Sequence, residues 1–165
     1  MKTEIRPATA QDVPALALVH HTAWQETYTG LIDQAYLDAR TVERSAKNME
    51  IAWPTLHVAV CDGRVVGFCG CGASRDEDLR QQNMGEIQGL YLLQAYQHLG
   101  LGRALMENAC CRLRAAGFCG VSLWVLDSNA KAICFYEKAG FTADGTTKTA
   151  VIGTPVTELR YSRRL

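Results

Sequence analysis

The sequence predicts a mixed α/β fold organised as one domain, and three observations support this. The chain has 165 residues, which fits a single domain with a sizeable core. Two segments, 56–61 and 65–71, flank an Asp62-Gly63 turn signal and predict a β-hairpin. Segment 121–126 is a nearly continuous apolar run, as expected for a strand that is covered on both faces.

Local signals place the other elements in chain order. Thr9 and Asp12 form a capping-box signature, so a helix is expected to begin near Val13. Helices are also predicted at 33–50, 101–116 and 130–139. Strands beyond the hairpin and the apolar run are predicted at 3–6, 86–93, 147–152 and 156–161. Loops are predicted at 24–31, where Gly30 interrupts an aromatic segment, and at 75–83, which is charged and irregular.

Composition and charge exclude several classes of protein. The net charge is zero, so no strongly basic face for nucleic acid is expected. No apolar run reaches the roughly 18 residues of a membrane helix, and the charged N-terminus lacks the pattern of a signal peptide. Seven cysteines occur without C-x-x-C or zinc-finger spacing, which favours reduced thiols and no metal. We expect a cytoplasmic protein without nucleic-acid or membrane partners, and a homodimer stays open.

The most informative local motif is a glycine-containing loop between a predicted strand and a predicted helix. Free N–H groups at a helix N-terminus attract anions together with the helix dipole, and glycines let a phosphate approach the backbone. An ordinary tight turn is the alternative, because a G-x-G motif alone is weak evidence. Neither a P-loop nor a glycine-rich Rossmann turn is present. The loop consists of Gln97, His98, Leu99, Gly100, Leu101, Gly102 and Arg103.

A second motif follows in segment 129–141, which reads N-x-x-A-x-x-F-Y-E-K-x-G-F. This motif, preceded by Q-x-x-G-x-G at 97–102, resembles the GNAT superfamily of N-acetyltransferases. Segment 86–93 is similar to the family's fourth strand, and 24–28 and 158–161 extend the resemblance more weakly. The resemblance implies the GNAT fold, a mixed and mostly antiparallel sheet of about seven strands flanked by about four helices.

The resemblance also implies a site for acetyl-coenzyme A. Backbone groups of Leu90, Tyr91 and Leu92 would pair with the pantetheine arm, and amides of the 97–103 loop would hold the pyrophosphate. Asn129 matches a residue that often contacts the cofactor, although a helix N-cap is an equally good role for it. Arg103 could add positive charge or be an ordinary surface arginine.

Two residues are candidates for acid–base catalysis. Tyr136 occupies the position where the family commonly keeps the general acid that protonates the departing thiolate, with a structural buried tyrosine as the alternative. Glu86 lies where some members keep a catalytic glutamate, and burial would suit it to act as a base. The alternative is a solvated or salt-bridged strand glutamate. A subgroup with its glutamate on the fifth strand is excluded, because Trp124 stands there.

Other candidates for the base are weaker. The four histidines are His20, His21, His57 and His98, and lone histidines are more often structural. No serine or cysteine triad pattern is visible, so direct transfer is expected.

The acceptor is expected to be a primary amine of a small molecule or a peptide. Trp24 and Tyr28, four residues apart, could form a pocket wall that attracts a cation, or could pack in the core. Glu26 and Asp33 could add negative charge. Two alternatives stay open: a non-catalytic acyl-CoA-binding module, and an enzyme that uses a longer acyl donor.

Overall fold

A computed structural model describes residues 1–165 and contains a seven-stranded mixed sheet, which confirms the expected fold class. The strands are β1 Thr3–Pro7, β2 Leu56–Cys61, β3 Arg64–Ala73, β4 Met84–Leu92, β5 Gly120–Leu126, β6 Thr142–Ile152 and β7 Thr154–Arg164. Their order in the sheet is β1-β2-β3-β4-β5-β7-β6. Only the β4–β5 pair is parallel, and all the other pairs are antiparallel.

Six α-helices accompany the sheet, where about four were expected. They are α1 Val13–Tyr28, α2 Gln34–Asp38, α3 Val42–Ala52, α4 Glu77–Gln81, α5 Leu101–Ala115 and α6 Ala130–Lys138. The two additional helices, α2 and α4, have five residues each. Helix α4 lies in the segment predicted as a charged loop, and α2 and α3 replace the single helix predicted at 33–50. None of the six has the combined length and apolar character that crossing a membrane requires.

The prediction of a loop at 24–31 is wrong, because α1 continues to Tyr28. Trp24 and Tyr28 lie one turn apart on the buried side of this helix, and their ring centroids are 4.6 Å apart. Gln25 is anchored too, since its side-chain amide donates to the carbonyl of Leu37 at 2.9 Å. The helical backbone stops at the C-cap residue Thr29, and Gly30 follows it at φ +84°. Packing of the aromatic side chains therefore outweighs their modest helix propensity.

Two apolar clusters cover the two faces of the sheet. Buried residues of α5, including Leu105, Met106 and Leu113, pack on one face together with α6. Residues of α1 and α3, such as Leu16 and Met49, pack on the other. Because side chains alternate along a strand, the central strands β2, β3 and β4 contribute to both clusters.

Candidate functional site

The central pair of strands opens into a cleft. Strands β4 and β5 are paired only over Met84–Glu86 and Gly120–Ser122. Beyond these residues β4 pairs only with β3, and β5 only with β7. A register shift opposite Gly70 and Cys71 leaves Gln88 as an extra residue of β4, which is typical of a β-bulge. One edge of β4 from Ile87 to Leu92 therefore lacks a strand partner and can pair with a bound extended molecule.

The cleft has two chemically different sides. On the side of α5 and α6, which we call the donor side, Leu90 and Leu92 of β4 pack against Phe135 and Tyr136 of α6. On the side of α1 to α4, which we call the acceptor side, Tyr91 packs against α1. Its ring centroid lies 5.3 Å from that of His20.

Several further strand residues that face the acceptor side are polar or aromatic. The neighbours of core residues along a strand point to the opposite face, so Glu86, Trp124, Glu158 and Arg160 share the side of Tyr91.

The 97–103 loop presents a row of free backbone donors at the donor side. The amides of six consecutive residues, His98 to Arg103, donate to no carbonyl and no side chain of the protein. The first helical bond of α5 is donated by Ala104 to Gly100. Gly100 and His98 both adopt left-handed backbone angles, at φ +82° and +62°. Such a row at a helix N-terminus fits a pyrophosphate, because its oxygens would accept these donors.

The backbone at Gly102 has free space beside it. A Cβ built there would meet only Phe135 and Leu92, at 3.6 Å or more. The protein itself therefore does not require glycine at this position, whereas close approach of a phosphate does.

Asn129 and Arg103 have different roles near the row of free amides. The side chain of Asn129 accepts a hydrogen bond from the amide of Ala132 at 3.2 Å and so caps α6, which is the structural role considered above. Arg103 is exposed and forms no ion pair within 4.0 Å. It therefore keeps its charge free beside the row of amides.

Comparison with known proteins agrees with this geometry. Residues 19–141 match the Acetyltransferase (GNAT) family. The chain belongs to the GNAT family of acetyltransferases. It is 32% identical over 139 residues to YuaI of Bacillus subtilis, named as an uncharacterised N-acetyltransferase, with 81% of this chain and 76% of YuaI covered. It is 26% identical to the spermidine N(1)-acetyltransferase of Thermoplasma acidophilum, covering 88% of this chain and 92% of that protein.

The fold is similar to that of the PaiA N-acetyltransferase from Thermoplasma acidophilum, solved in complex with coenzyme A. The TM-score is 0.81 at 22% identity, with both chains covered completely. The expected enzyme class and the expected cosubstrate, acetyl-coenzyme A, are confirmed. A non-catalytic binding module is therefore not the better interpretation of this GNAT protein.

Tyr136 of this GNAT acetyltransferase reaches from α6 beneath the cleft. Its ring meets Phe135 and Phe141 edge-on, with centroids 5.3 and 5.8 Å away. Burial raises the pKa of Tyr136 above its usual range, and the neighbouring Cys69 and Tyr91 add to the rise. Its hydroxyl makes no hydrogen bond within the protein. The group is therefore a protonated donor at neutral pH.

Glu86 is fully buried and salt-bridged, one of the alternatives raised for it above. Its two oxygens accept three hydrogen bonds from the Arg75 side chain, at 2.6 to 3.2 Å, and one from the Arg75 amide at 2.8 Å. No motif in the sequence indicated that Arg75, in a segment predicted as a loop, would pair with this carboxylate. A base in this position can act only through water or after Arg75, whose side chain is 62% exposed, moves away.

The acceptor side also contains residues that the sequence motifs missed. Burial, followed by the influence of Tyr91 and Tyr136, raises the pKa of Tyr28. Glu158 of β7 adds to this rise. Arg160 is buried and bound by Asp76, Asp78 and Asp144, so it ties α4 and β6 to the sheet.

Glu26 and Asp33, considered above as acidic groups for an acceptor, have structural partners. Glu26 accepts a hydrogen bond from the amide of Gln94 at 2.8 Å and so joins α1 to the turn after β4. Asp33 accepts from the amide of Tyr36 at 2.8 Å and caps α2.

Burial opposes the activation of three thiols as nucleophiles. Burial raises the pKa of Cys69, Cys71 and Cys110, which keeps these thiols protonated. All seven cysteines are free. These features favour direct transfer.

The histidines occupy different parts of the molecule. His20 bonds to the Ser45 hydroxyl at 3.0 Å on the acceptor side, whereas His98 is exposed on the loop. His57 belongs to β2, remote from the cleft in the sheet order.

Proposed function

We propose that this acetyltransferase moves an acetyl group directly from acetyl-coenzyme A to a primary amine of a small molecule or peptide. The row of six free amides beside the opening of β4 and β5 carries the proposal. The pyrophosphate would accept hydrogen bonds from His98 to Arg103, and the pantetheine arm would pair with the free edge of β4 at Leu90 to Leu92. The thioester would then lie between the donor and acceptor sides.

The acceptor amine would approach from the side of Tyr91. An amine with a pKa near 10 is protonated at neutral pH and must lose a proton before it attacks. We assign this proton to Glu86, acting through water because Arg75 holds both of its oxygens. A free β4 amide would stabilise the oxyanion that forms when nitrogen bonds to the carbonyl carbon.

Breaking of the C–S bond then releases a thiolate, and Tyr136 would protonate it. The second proton, which the nitrogen loses as the amide forms, would restore the Tyr136 hydroxyl. The Tyr136 hydroxyl is protonated and lies on the cleft. It has no hydrogen bond to the protein that would have to break before it donates its proton. The products are an N-acetylated amine and coenzyme A.

Trp24 and Tyr28 would form the wall of the acceptor pocket. They belong to the buried side of α1 and pack near Leu126 at the open end of β5. The Thermoplasma acidophilum relative is named for spermidine, which supports an amine as the acceptor.

An amine panel tests the proposal. Acetyl-coenzyme A is incubated with polyamines, amino acids, an aminoglycoside and a peptide, and release of thiol is followed together with the mass of the product. We expect thiol release to match the formation of an N-acetyl product for at least one amine. Thiol release without an acetylated product, or no reaction with any amine, would overturn the proposal.

A further inference from the structure

The two most buried arginines of the protein differ in their partners. Arg160 is 6% exposed and is surrounded by three carboxylates. Arg40 is 8% exposed and has no carboxylate within 4.0 Å. None of its guanidinium nitrogens donates a hydrogen bond to the protein, and its Nε is completely buried. A buried cation without a counter-ion is unfavourable, so this charge lowers the stability of the fold.

Arg40 lies against the wall of the acceptor pocket. It follows α2, and its guanidinium carbon is 3.8 Å from the centre of the Trp24 ring, which in turn packs against the tilted ring of Tyr28. This stacking orients the planar group but does not neutralise it. The charge of Arg40 also opposes the rise that burial causes in the pKa of Tyr28 and Tyr91.

The opposite sign of charge is found at another part of the same side. Glu158 influences Tyr28 and Tyr91 as well, and its only ion-pair partner is Lys148, at 3.6 Å. Glu86 is already occupied by Arg75. The acceptor side therefore offers a cation without a partner at Arg40 and an anion with a loosely held partner at Glu158.

Resting on the proposed function, we propose that Arg40 binds the carboxylate of the acceptor, whose preferred class is therefore an amino acid rather than a polyamine. A guanidinium presents paired N–H donors that match a carboxylate, and Glu158 would attract the ammonium group before it loses its proton. A polyamine would instead bring positive charge next to Arg40, which is unfavourable at short range.

Matched acceptors test this proposal directly. Free amino acids are compared with their carboxamides, which keep the amine and side chain but lack the negative charge, and with putrescine and spermidine. We expect kcat/KM for the best acid to exceed that of its amide by about 10- to 100-fold. Efficient acetylation of amides or polyamines, with acids disfavoured, would overturn the assignment of Arg40 while leaving the N-acetyltransferase function intact.

Variants separate a binding role from a structural one. Arg40→Met should bring the ratio of kcat/KM for the acid to kcat/KM for its amide close to one. Arg40→Lys should keep part of the preference for the acid, since a lysine retains charge without the planar guanidinium group. The control Arg44→Met changes an exposed arginine of α3 and should leave the ratio unaltered. A ratio that survives in Arg40→Met would contradict the proposal.

A binding measurement keeps the test independent of turnover. N-acetyl amino acids and their amides are titrated calorimetrically into protein saturated with coenzyme A. We expect the acids to bind the wild type at least about 10-fold more tightly than the amides, and Arg40→Met to lose the difference. We also expect Arg40→Met to melt at a higher temperature than the wild type, because it removes an uncompensated buried charge. A lower melting temperature together with equal binding of acid and amide would assign Arg40 to packing on Trp24.

Discussion

At the scale of single residues, three buried or half-buried tyrosines line the two sides of the cleft. Burial raises the pKa of Tyr28, Tyr91 and Tyr136, so each hydroxyl stays a donor at neutral pH. Only Tyr136 stands on the donor side, where the thiolate would leave. Its role therefore depends on one oxygen atom, which a phenylalanine removes without changing the ring.

Tyr136→Phe should reduce turnover by about 10²- to 10⁴-fold, which is the usual contribution of a positioned acid. The affinity for coenzyme A should be unchanged, and the free energy of unfolding should change by no more than about 1 kcal/mol, since the hydroxyl has no partner in the protein. Steady-state kinetics, calorimetry and urea unfolding measure the three quantities.

Tyr161→Phe is the matched control for this variant. Tyr161 is buried and donates to Glu137 at 3.2 Å, but it belongs to the core beneath β7 rather than to the cleft. It should lose about 1 kcal/mol of stability and keep its turnover. Full turnover in Tyr136→Phe would show that another group protonates the thiolate.

At the scale of elements, the N-terminus of α5 combines a positive dipole with amides that no carbonyl uses. Its remaining residues are ordinary for an amphipathic helix, with Leu105, Met106 and Leu113 buried against the sheet. The helix is therefore anchored by its apolar face, and its first turn is free to bind an anion.

Gly102→Glu should weaken the binding of coenzyme A by more than about 10-fold. The new Cβ would make ordinary contacts with Phe135 and Leu92, and a carboxylate at a helix N-terminus is favourable, so the melting temperature should change little. Calorimetry with coenzyme A measures the effect. Gly102→Gln, which has the same shape without the charge, separates repulsion from obstruction. A folded Gly102→Glu variant with unaltered affinity would contradict the assignment of the loop.

At the scale of the whole molecule, the protonation of His20 makes the stability of the protein depend on pH. Its Nδ1 lies 3.0 Å from the Ser45 hydroxyl and so joins α1 to α3. Burial, followed by the charges of Arg40 and His21, lowers the pKa of His20 to about 4 from the ordinary 6.5. The neutral ring is therefore part of the folded state.

Stability should fall as the pH decreases from neutral toward about 4. The unfolded chain takes up a proton on His20 near pH 6.5, whereas the folded chain does so only near 4, so acid favours unfolding throughout this window. We expect urea unfolding to show a loss of about 2 kcal/mol between about pH 7.5 and about pH 4.5. The pKa of Asp12, which hydrogen bonds from Arg6 above all lower to about 2, affects stability only at lower pH.

Two variants isolate the contribution of His20. His20→Gln should flatten the pH dependence in this window, and His98→Asn, at an exposed loop position, should preserve it. An equal slope in the wild type and His20→Gln would show that other groups cause the loss.

The sequence by itself determined the order of the main strands and helices along the chain. It also determined the position of the 97–103 loop. Alternation at 56–71, the apolar run at 121–126 and the glycines at 100 and 102 are local signals, and local signals suffice for elements whose two faces differ in polarity. The two motifs also indicated the family through their resemblance to the GNAT superfamily, which the match of residues 19–141 confirms.

Tertiary structure alone decided which charges are compensated. Arg75 pairs with Glu86, which lies 11 positions further along the chain. Arg160 binds carboxylates that lie up to 84 positions away in the sequence. It also extended α1 to Tyr28, because Trp24 and Tyr28 are buried by packing that no local propensity encodes. Arg40 is the clearest case, since its charge is unremarkable in the sequence and becomes a candidate binding group only because folding buries it without a partner.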